Sequence, residues 1–274
     1  MALLTRRQAL TAIAATSGAA LMPRALVAQS ADLLLPGTEV CALTPEVTEG
    51  PYYFDPALVR ADIREDREGV PLVLRMQVVD AACTPLPGAR VDVWHCDAQG
   101  VYSSYGGDAG QVSEQGETFL RGTQMADGRG VAEFVTIYPG WYRGRTTHVH
   151  FKVFLDARNV LTGQAFFPDA LSEFLYLNVP AYLRDGARDT LNDGDFIAQQ
   201  ATRASHAAIA EGDAAYLAQL VVGVDPAAVS EQGGRPAGPP PNEGAMPRGG
   251  PGAPLEGPTD AGARRGSLVP GGDA

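Results

Sequence analysis

A pair of histidines near the middle of the chain is its clearest candidate for chemistry. His148 and His150 are two of the four histidines and lie two residues apart in a strand-like run. Alternate residues of a β-strand point to the same side of a sheet, so both imidazoles should project from one face. Val149, Phe151 and Val153 have the opposite parity and are apolar, so they should face a core. The two imidazoles could therefore bind one metal ion.

Tyrosines lie close enough to complete such a metal site. Tyr142 comes six residues before His148, beyond a bend that contains glycine, and Tyr102 lies where another strand runs out into a loop. Tyr105 competes with Tyr102, but the Gly-x-Tyr spacing favours Tyr102. A His-x-His pair alone is often structural, and a tyrosine after a Gly-Pro turn often serves only in packing. The prediction of a metal site therefore rests on the occurrence of both features together. Imidazole beside phenolate suits a hard, high-valent ion and favours ferric iron over zinc.

Other sequence features are weaker candidates. His95 precedes Cys96 and is interpreted as structural, and His206 is interpreted as a surface residue of a helix. Gly106-Gly107 is not followed by the Lys or Ser/Thr that a phosphate-binding loop needs. The chain has no Gly-x-Ser-x-Gly motif that would support a serine nucleophile.

The elements that must position these residues are mostly strands. Residues 72–79 alternate in polarity, and turn residues at 84–88 connect them to a return strand at 89–94. Further strands are predicted at residues 131–137, 148–155, 165–167 and 174–179. Short strands separated by turns predict an all-β sandwich. Helices are predicted only at residues 56–60 and in a C-terminal, Ala-rich segment at about 193–220.

The two ends of the chain have compositions that indicate segments outside the folded domain. Residues 1–28 resemble a twin-arginine signal peptide, with Arg6 and Arg7 before an apolar, Ala-rich run. We therefore expect export to the periplasm or the extracellular space. Gly and Pro make up 21 of the last 44 residues. A segment of this composition can bury too little apolar surface to offset the conformational entropy that it would lose on ordering. The sequence thus predicts one domain at 29–225 and a disordered tail at 226–274.

Charge and cysteine content limit the partners. The formal net charge is −11, and it becomes −14 without residues 1–28, because three arginines and no acidic residue are removed. This acidity argues against nucleic acid as a partner, and no apolar run beyond the signal is long enough to span a bilayer. An exported protein with three cysteines can hold one disulfide. Cys41 could pair with Cys83 or with Cys96, and the sequence does not decide between them.

Several motifs in a fixed order resemble one enzyme family. They are Gly88-Ala-Arg-Val-Asp-Val-Trp94, Gly100-Val-Tyr102, Tyr138-Pro-Gly-Trp-Tyr142, Arg145 and His148-Val-His150-Phe151. The series resembles the intradiol ring-cleavage dioxygenases, which include catechol 1,2- and protocatechuate 3,4-dioxygenases, over about residues 44–197. The resemblance implies a prealbumin-like β-sandwich. It also implies cleavage of a catechol-type diol by O₂ to a cis,cis-muconate-type product.

The resemblance also implies roles for individual residues. A mononuclear non-haem Fe(III) would be held by Tyr102, Tyr142, His148 and His150. Tyr142 would leave the metal when the diol binds, and Arg145 would stabilise the charge that develops on the ring. Gln164 matches a glutamine that lines the substrate pocket. The segment Gly50-Pro51-Tyr52 resembles one that borders the substrate site.

The sequence departs from better-known members at two places. Gly144 stands where they have a tryptophan, and only five residues separate Tyr142 from His148. This predicts a more open pocket, suited to diols from plant or lignin breakdown. The helical dimerisation segment of the catechol enzymes has no counterpart here, and a homo-oligomer stays an open expectation. The alternatives are a non-catalytic prealbumin-like binding module at the cell surface and a copper or manganese oxidase with a His-x-His site.

Overall fold

The β-sandwich predicted from the sequence is confirmed. The computed structural model describes residues 41–55, 57–104 and 116–232, all within one compact unit. Eight strands form two four-stranded sheets, with orders β4-β1-β8-β7 and β3-β2-β5-β6. The strands are β1 Pro71–Val79, β2 Arg90–Trp94, β3 Arg121–Met125, β4 Val131–Ile137, β5 His148–Leu155, β6 Arg158–Phe166, β7 Ala208–Glu211 and β8 Tyr216–Gly223.

The main core lies between the two sheets and follows from the alternation of polarity. On β1, Leu72, Leu74 and Met76 are fully buried while the residues between them are partly exposed. On β5, Val149 and Phe151 join the same hydrophobic cluster, as the period-two pattern predicts. The histidine pair consequently points to the outer face of its sheet.

The outer face of the second sheet is covered as well, and this cover creates the site. Residues 47–55 cross it without forming a strand, and Val47 packs with Phe166 and with a short helix at Phe196–Ala201. Near Trp94, four tyrosines from three segments pack together: the buried Tyr102 and the partly buried Tyr52, Tyr53 and Tyr142. Side chains on this face are therefore buried although they point away from the main core.

Two of the predicted strands differ in the structure. Residues 174–178 belong to helix α1 (Asp169–Asn178), whose buried residues Ser172, Leu175 and Tyr176 follow helical spacing. The predicted strand at 165–167 is the end of the longer strand β6. The short apolar run in α1 was compatible with either period, so the prediction of a strand at 174–179 was wrong.

The predicted helices are also corrected. Helix α2 spans only Phe196–Ala201 and ends at Thr202, whose φ is 58°. A 3-10 turn, Arg203–Ser205, and the hairpin β7–β8 occupy the rest of the segment predicted as helical. In β8 alternate residues are buried and the strand pairs parallel with β1, so tertiary packing overrode the helix propensity of the Ala-rich segment that contains it. Residues 57–60 form no helix, and Val59 instead makes a bridge to Thr123.

The cysteine pairing left open by the sequence is resolved. Cys41 and Cys83 form a disulfide, and Cys96 is buried and free. The predicted signal peptide, Tyr105 and most of the predicted tail lie outside the described residues. At the start of that tail, Ser230 is buried and its backbone N–H donates to the carbonyl of Asn159. Within the described part of the chain, no helix has the length and apolarity needed to span a membrane.

Candidate metal centre

Strand β5 places both histidines at the centre of the covered sheet face. His150 lies opposite Trp94 of β2 and Gln164 of β6, and His148 lies opposite Phe166. The two imidazoles are buried, and their Nε2 atoms are 3.1 Å apart. The prediction that both project from one face is therefore confirmed.

The surroundings of the rings leave both Nε2 atoms aimed at the same point. His148 Nδ1 lies 2.7 Å from the carbonyl oxygen of Thr146, so Nδ1 carries the proton and Nε2 offers a lone pair. The ring of His150 stacks on Trp94 with 4.9 Å between centroids. Its Nδ1 has no hydrogen-bond partner among the described residues. The two Nε2 atoms face each other, and that of His148 also faces the hydroxyls of Tyr102 and Tyr142.

Tyr102 reaches the pair from the loop that follows β2. The buried Asp97 side chain accepts hydrogen bonds from the backbone N–H groups of Gln99 and Val101 and so fixes this loop. The hydroxyl of Tyr102 lies 3.5 Å from His148 Nε2. Its ring stacks on Tyr52 at 4.2 Å between centroids. Tyr102 is thus fixed both by the stacking of its ring on Tyr52 and by the hydrogen bonds of its loop backbone to Asp97.

Tyr142 lies on the loop between β4 and β5, and its ring centroid is 5.7 Å from that of Tyr102. Its hydroxyl is 3.1 Å from His148 Nε2, and its ring is half-buried. Gly144 follows with a φ of 79°, a conformation that glycine adopts without strain. This bend lets the chain return to the strand within the five residues that separate Tyr142 from His148.

Three distances among the four donor atoms meet the geometric requirement for ligands of one small cation. Nitrogen or oxygen ligands about 2.0–2.2 Å from a metal, at angles of about 90–110°, are themselves about 2.8–3.6 Å apart. The distances from His148 Nε2 to His150 Nε2, Tyr142 Oη and Tyr102 Oη all fall in this range. No group of three or more His, Cys, Asp or Glu in the described residues could hold a metal. A cation here would therefore need the tyrosine oxygens.

Burial sets the protonation of the four groups. It lowers the pKa of His148 to about 3, with the Arg145 charge adding to the effect, and lowers the pKa of His150 well below its usual value. Burial also raises the pKa of Tyr102 well above 10, and it raises that of Tyr142 against the opposing charge of Arg145. The imidazoles are thus neutral donors at pH 7, while the phenols need a cation to lose their protons.

Arg145 lies beside this cluster and is held on two sides. Its Nε donates to Asp195 Oδ2 at 2.8 Å, and its Nη2 donates to Gln164 Oε1. Its Nη1 lies 3.5 Å from both Tyr142 Oη and His148 Nε2. Burial would raise the pKa of Asp195, but Arg145 and backbone N–H groups hold it below its usual value. A positive charge is therefore fixed at the edge of the candidate metal centre.

The predicted substrate-binding residues lie in two places. Gln164 is fully buried, and its Nε2 donates to the Thr48 carbonyl while its Oε1 accepts from Arg145. A Cβ on Gly50 would lie 3.5 Å from His150 Cε1, so this residue borders the histidine. Tyr52 contacts the rings of both Tyr102 and Tyr142. Pro51, between Gly50 and Tyr52 in the sequence, is half-buried. The whole segment thus borders the donor cluster.

The other two histidines lie apart from the four donors. His95 is buried, and its ring nitrogens contact the Cys96 carbonyl and the Thr136 hydroxyl, as the structural interpretation predicted. His206 follows the 3-10 turn after α2, is half-buried and packs against Phe166. The prediction that it lies on a helix surface was wrong, because the long helix does not form.

Some residues that support the site were not found from the sequence. Arg121 of β3 is buried and donates to the Tyr52 carbonyl and to both oxygens of Ser103, next to Tyr102. Asp195 binds Arg145 from a segment 50 residues further along the chain. The only sequence signal for Asp195 was its suitability as a helix N-cap. Nothing marked Arg121.

Comparisons with known proteins agree with this geometry. A family model described as "Dioxygenase" matches residues 47–179. An intradiol ring-cleavage dioxygenase from Tetranychus urticae is 30% identical, with a TM-score of 0.65 over 70% of this chain and 98% of that one. The chain belongs to the intradiol ring-cleavage dioxygenase family, as the motifs predicted. The alternative of a non-catalytic binding module is not favoured.

The curated relatives are longer than the matched region. A catechol 1,2-dioxygenase from Acinetobacter baylyi is 28% identical over 54% of this chain and 54% of its own length. A catechol 1,2-dioxygenase from a Pseudomonas strain is 36% identical over 36% of this chain and 32% of its own length. The alignments thus span a third to about half of these relatives.

Proposed function

We propose that the protein is a non-haem Fe(III)-dependent dioxygenase that cleaves a catechol-type diol between its two hydroxylated carbons, using O₂. The product would be of the cis,cis-muconate type, with both oxygen atoms incorporated. The observation that carries the proposal is the convergence of two tyrosine oxygens and two imidazole nitrogens within ligand distance on a buried face. The family membership and the catechol-cleaving relatives support the same chemistry.

The donor set fits ferric iron better than zinc, copper or manganese(II). Phenolate is a strong anionic oxygen donor and favours a hard, trivalent ion. When bound, ferric iron would supply Lewis acidity that favours the deprotonated diol, and it would accept electron density so that the ring reacts with O₂. His148 and His150 would hold it through Nε2, and Tyr102 and Tyr142 through their phenolate oxygens.

The residues differ in what they would contribute to the reaction. Tyr142 is half-buried and carried by a glycine-containing bend, whereas Tyr102 is buried and stacked. Tyr142 is therefore the donor that would yield its position to the diol, and its oxygen would take one of the diol protons as a general base. Arg145 Nη1 would stabilise the negative charge that results on the bound ring.

The hydrophobic surroundings would exclude water from the diol. Trp94 covers His150, and Tyr52 covers Tyr102. The small residue Gly144 at the outer end of the Tyr142 loop would leave room for ring substituents. We therefore include substituted catechols, such as those from plant or lignin breakdown, in the proposed substrate class.

A product assay tests the proposal directly. Iron-loaded protein would be incubated with a panel of catechols under ¹⁸O₂, and the products would be identified by mass spectrometry. We expect ring-opened dicarboxylates that carry two labelled oxygen atoms. Absence of ring-opened product from every diol, with iron fully bound, would overturn the proposal. Copper- and manganese-loaded samples distinguish the other metal chemistries.

We also propose that the protein is exported through a twin-arginine signal within residues 1–28. The motif at Arg6 and Arg7 and the apolar run after it support this proposal. Replacement of both arginines by lysine should leave the protein in the cytoplasm of the producing cell, as measured by fractionation. Unchanged export of that variant would contradict the proposal.

A further inference from the structure

Asp195 contacts the candidate metal centre only through another residue. Its side chain is buried, and it begins helix α2. Oδ1 accepts hydrogen bonds from the backbone N–H groups of Ile197 and Ala198 at 2.8 and 3.2 Å. Oδ2 accepts from Arg145 Nε at 2.8 Å and from the Thr146 backbone N–H at 2.9 Å. We propose that Asp195 is the positioning residue that aims Arg145 at the reacting diol, an inference that rests on the proposed function.

The guanidinium group of Arg145 has a rigid shape. Its N–H donors form a planar fork with fixed directions, so two held corners determine where the third one points. Asp195 holds Nε, and Gln164 holds Nη2. Nη1 is then directed at Tyr142 Oη and His148 Nε2, 3.5 Å from each. Loss of the bond at Nε would let the group turn about its remaining contact.

Charge supports the same conclusion. The Arg145 side chain is 11% exposed and that of Asp195 2% exposed, so this ion pair has little access to water. Removal of one partner from a buried pair leaves an uncompensated charge. Without Asp195, the guanidinium would therefore be drawn toward solvent or toward the tyrosine oxygens. Either shift would change the field at the place where the diol must bind.

Asp195 also belongs to a set of contacts on the loop that carries Tyr142. Asp189 accepts a hydrogen bond from the Gly144 backbone N–H, and Asn192 accepts one from the Thr146 hydroxyl. In the described part of the chain, neither of these two residues forms a hydrogen bond or ion pair with Arg145, whereas Asp195 contacts both the loop and Arg145. Asp195 could have a purely structural role as the N-cap of α2. The test must therefore distinguish the loss of this helix cap from the loss of the contact that positions Arg145.

The substitution Asp195→Asn makes this separation. The asparagine oxygen can still cap α2, but its amide group would present a donor to Arg145 Nε, which is itself a donor. We expect kcat for catechol cleavage to fall about 10- to 100-fold, as for outer partners of other metal sites, with iron content unchanged. Thr202→Ala is the matched control, because Thr202 caps the next short helix through Ala204 and has no contact with Arg145. It should keep kcat within about twofold.

A second readout does not depend on turnover. In metal-free protein, the Arg145 Nε–H should give a nitrogen–proton NMR signal that exchanges slowly with solvent, because this group is buried and hydrogen-bonded. The signal would be assigned by its loss in Arg145→Met. We expect it to disappear or exchange fast in Asp195→Asn and to persist in Thr202→Ala. A slowly exchanging signal in Asp195→Asn would overturn the proposal.

A double-mutant cycle completes the test. If Asp195 acts through Arg145, Asp195→Asn should cost little further kcat/KM in an Arg145→Met background. Single effects that multiply in the double variant would overturn the inference, as would an Asp195→Asn enzyme with wild-type kcat. A wild-type iron protein that cleaves no diol would overturn the proposed function and this inference with it. An active wild type with an equally active Asp195→Asn variant would overturn only the role of Asp195.

Discussion

The two tyrosines of the candidate metal centre are supported in opposite ways. Tyr102 is 4% exposed, stacks on Tyr52, and is followed by Ser103, which Arg121 binds through both of its oxygens. Tyr142 is half-buried and lies two residues before a glycine of positive φ. Its hydroxyl contacts the side chains of His148, Arg145 and Tyr102. Both oxygen donors lie on loops, but Tyr102 is buried and fixed by packing, whereas Tyr142 is partly exposed.

This difference indicates how a single site can hold a cation firmly and still admit a substrate. Each packed neighbour that would have to shift adds to the cost of moving a side chain. Moving Tyr102 would separate stacked rings and disturb the buried bonds of Arg121, whereas moving the partly exposed Tyr142 would break edge contacts with Tyr52 and Tyr102. We therefore expect Tyr102 and the histidines to retain the metal, and Tyr142 to give the substrate access to it.

The largest expected effect comes from the fixed side of the site. His150→Ala removes a buried donor that no neighbour can replace, since Trp94 covers the ring. We expect iron content to fall from about one per chain to near zero and activity to fall by more than the 10- to 100-fold typical of outer partners. Metal analysis of purified protein measures this, with His206→Ala as the control. Full iron content in His150→Ala would remove His150 from the site.

A comparison of the two tyrosines tests the asymmetry itself. Tyr102→Phe and Tyr142→Phe each delete one oxygen donor, but only the second leaves the fixed side intact. We expect Tyr102→Phe to lose most of its iron and Tyr142→Phe to keep more iron while losing turnover. Tyr138→Phe, which removes a buried hydroxyl bound to Ser172, is the control. Equal iron affinities for the two variants would contradict the proposed difference between Tyr102 and Tyr142 in metal retention.

A smaller effect should follow from loosening the fixed tyrosine. Tyr52→Leu removes the ring that stacks on Tyr102, and such aromatic pairs contribute about 0.5–1.5 kcal/mol beyond their buried area. We expect iron affinity to fall by about 2- to 12-fold, which is that energy expressed as a ratio. Competition with a chelator measures the affinity. An unchanged affinity would show that Tyr102 is held by its backbone alone.

The smallest effect on the site should come from the disulfide. Cys41 and Cys83 close a loop with a sequence separation of 42 residues, for which chain entropy gives about 4 kcal/mol of stability. We expect the double substitution to serine to lower the free energy of unfolding by about this amount, with iron affinity unchanged. Chemical denaturation and chelator competition measure the two quantities. A large loss of iron affinity would mean that the support of the site extends to this loop.

The parts of the fold that were predictable are those in which one side of a strand is buried in the main core. Residues 131–137 and 148–155 carry a period-two pattern, and both form strands with these bounds. The long helix predicted at 193–220 fails because β8 derives its stability from pairing with β1, a contact that local propensity does not report. Strand β3 was not predicted, since its five residues show no alternation.

The residues of the candidate metal centre also divide into those that could be predicted from the sequence and those that could not. The donors could be located because their residue types and spacings are short-range features, as with His148 and His150. Asp195 and Arg121 act through buried hydrogen bonds to residues distant in sequence. Neither has a local pattern that indicates its partner. Sequence reasoning therefore finds the atoms that would touch the metal more readily than those that would hold them in place.

The central claim is that two phenolates and two imidazoles hold one ferric ion, and a visible absorption spectrum tests it most directly. Iron-loaded protein should be red to purple through charge transfer from tyrosinate to iron. Anaerobic catechol should shift the band to longer wavelength as the diol chelates the metal. A protein that binds one Fe(III) per chain but is colourless, with no change on addition of catechol, would contradict the account.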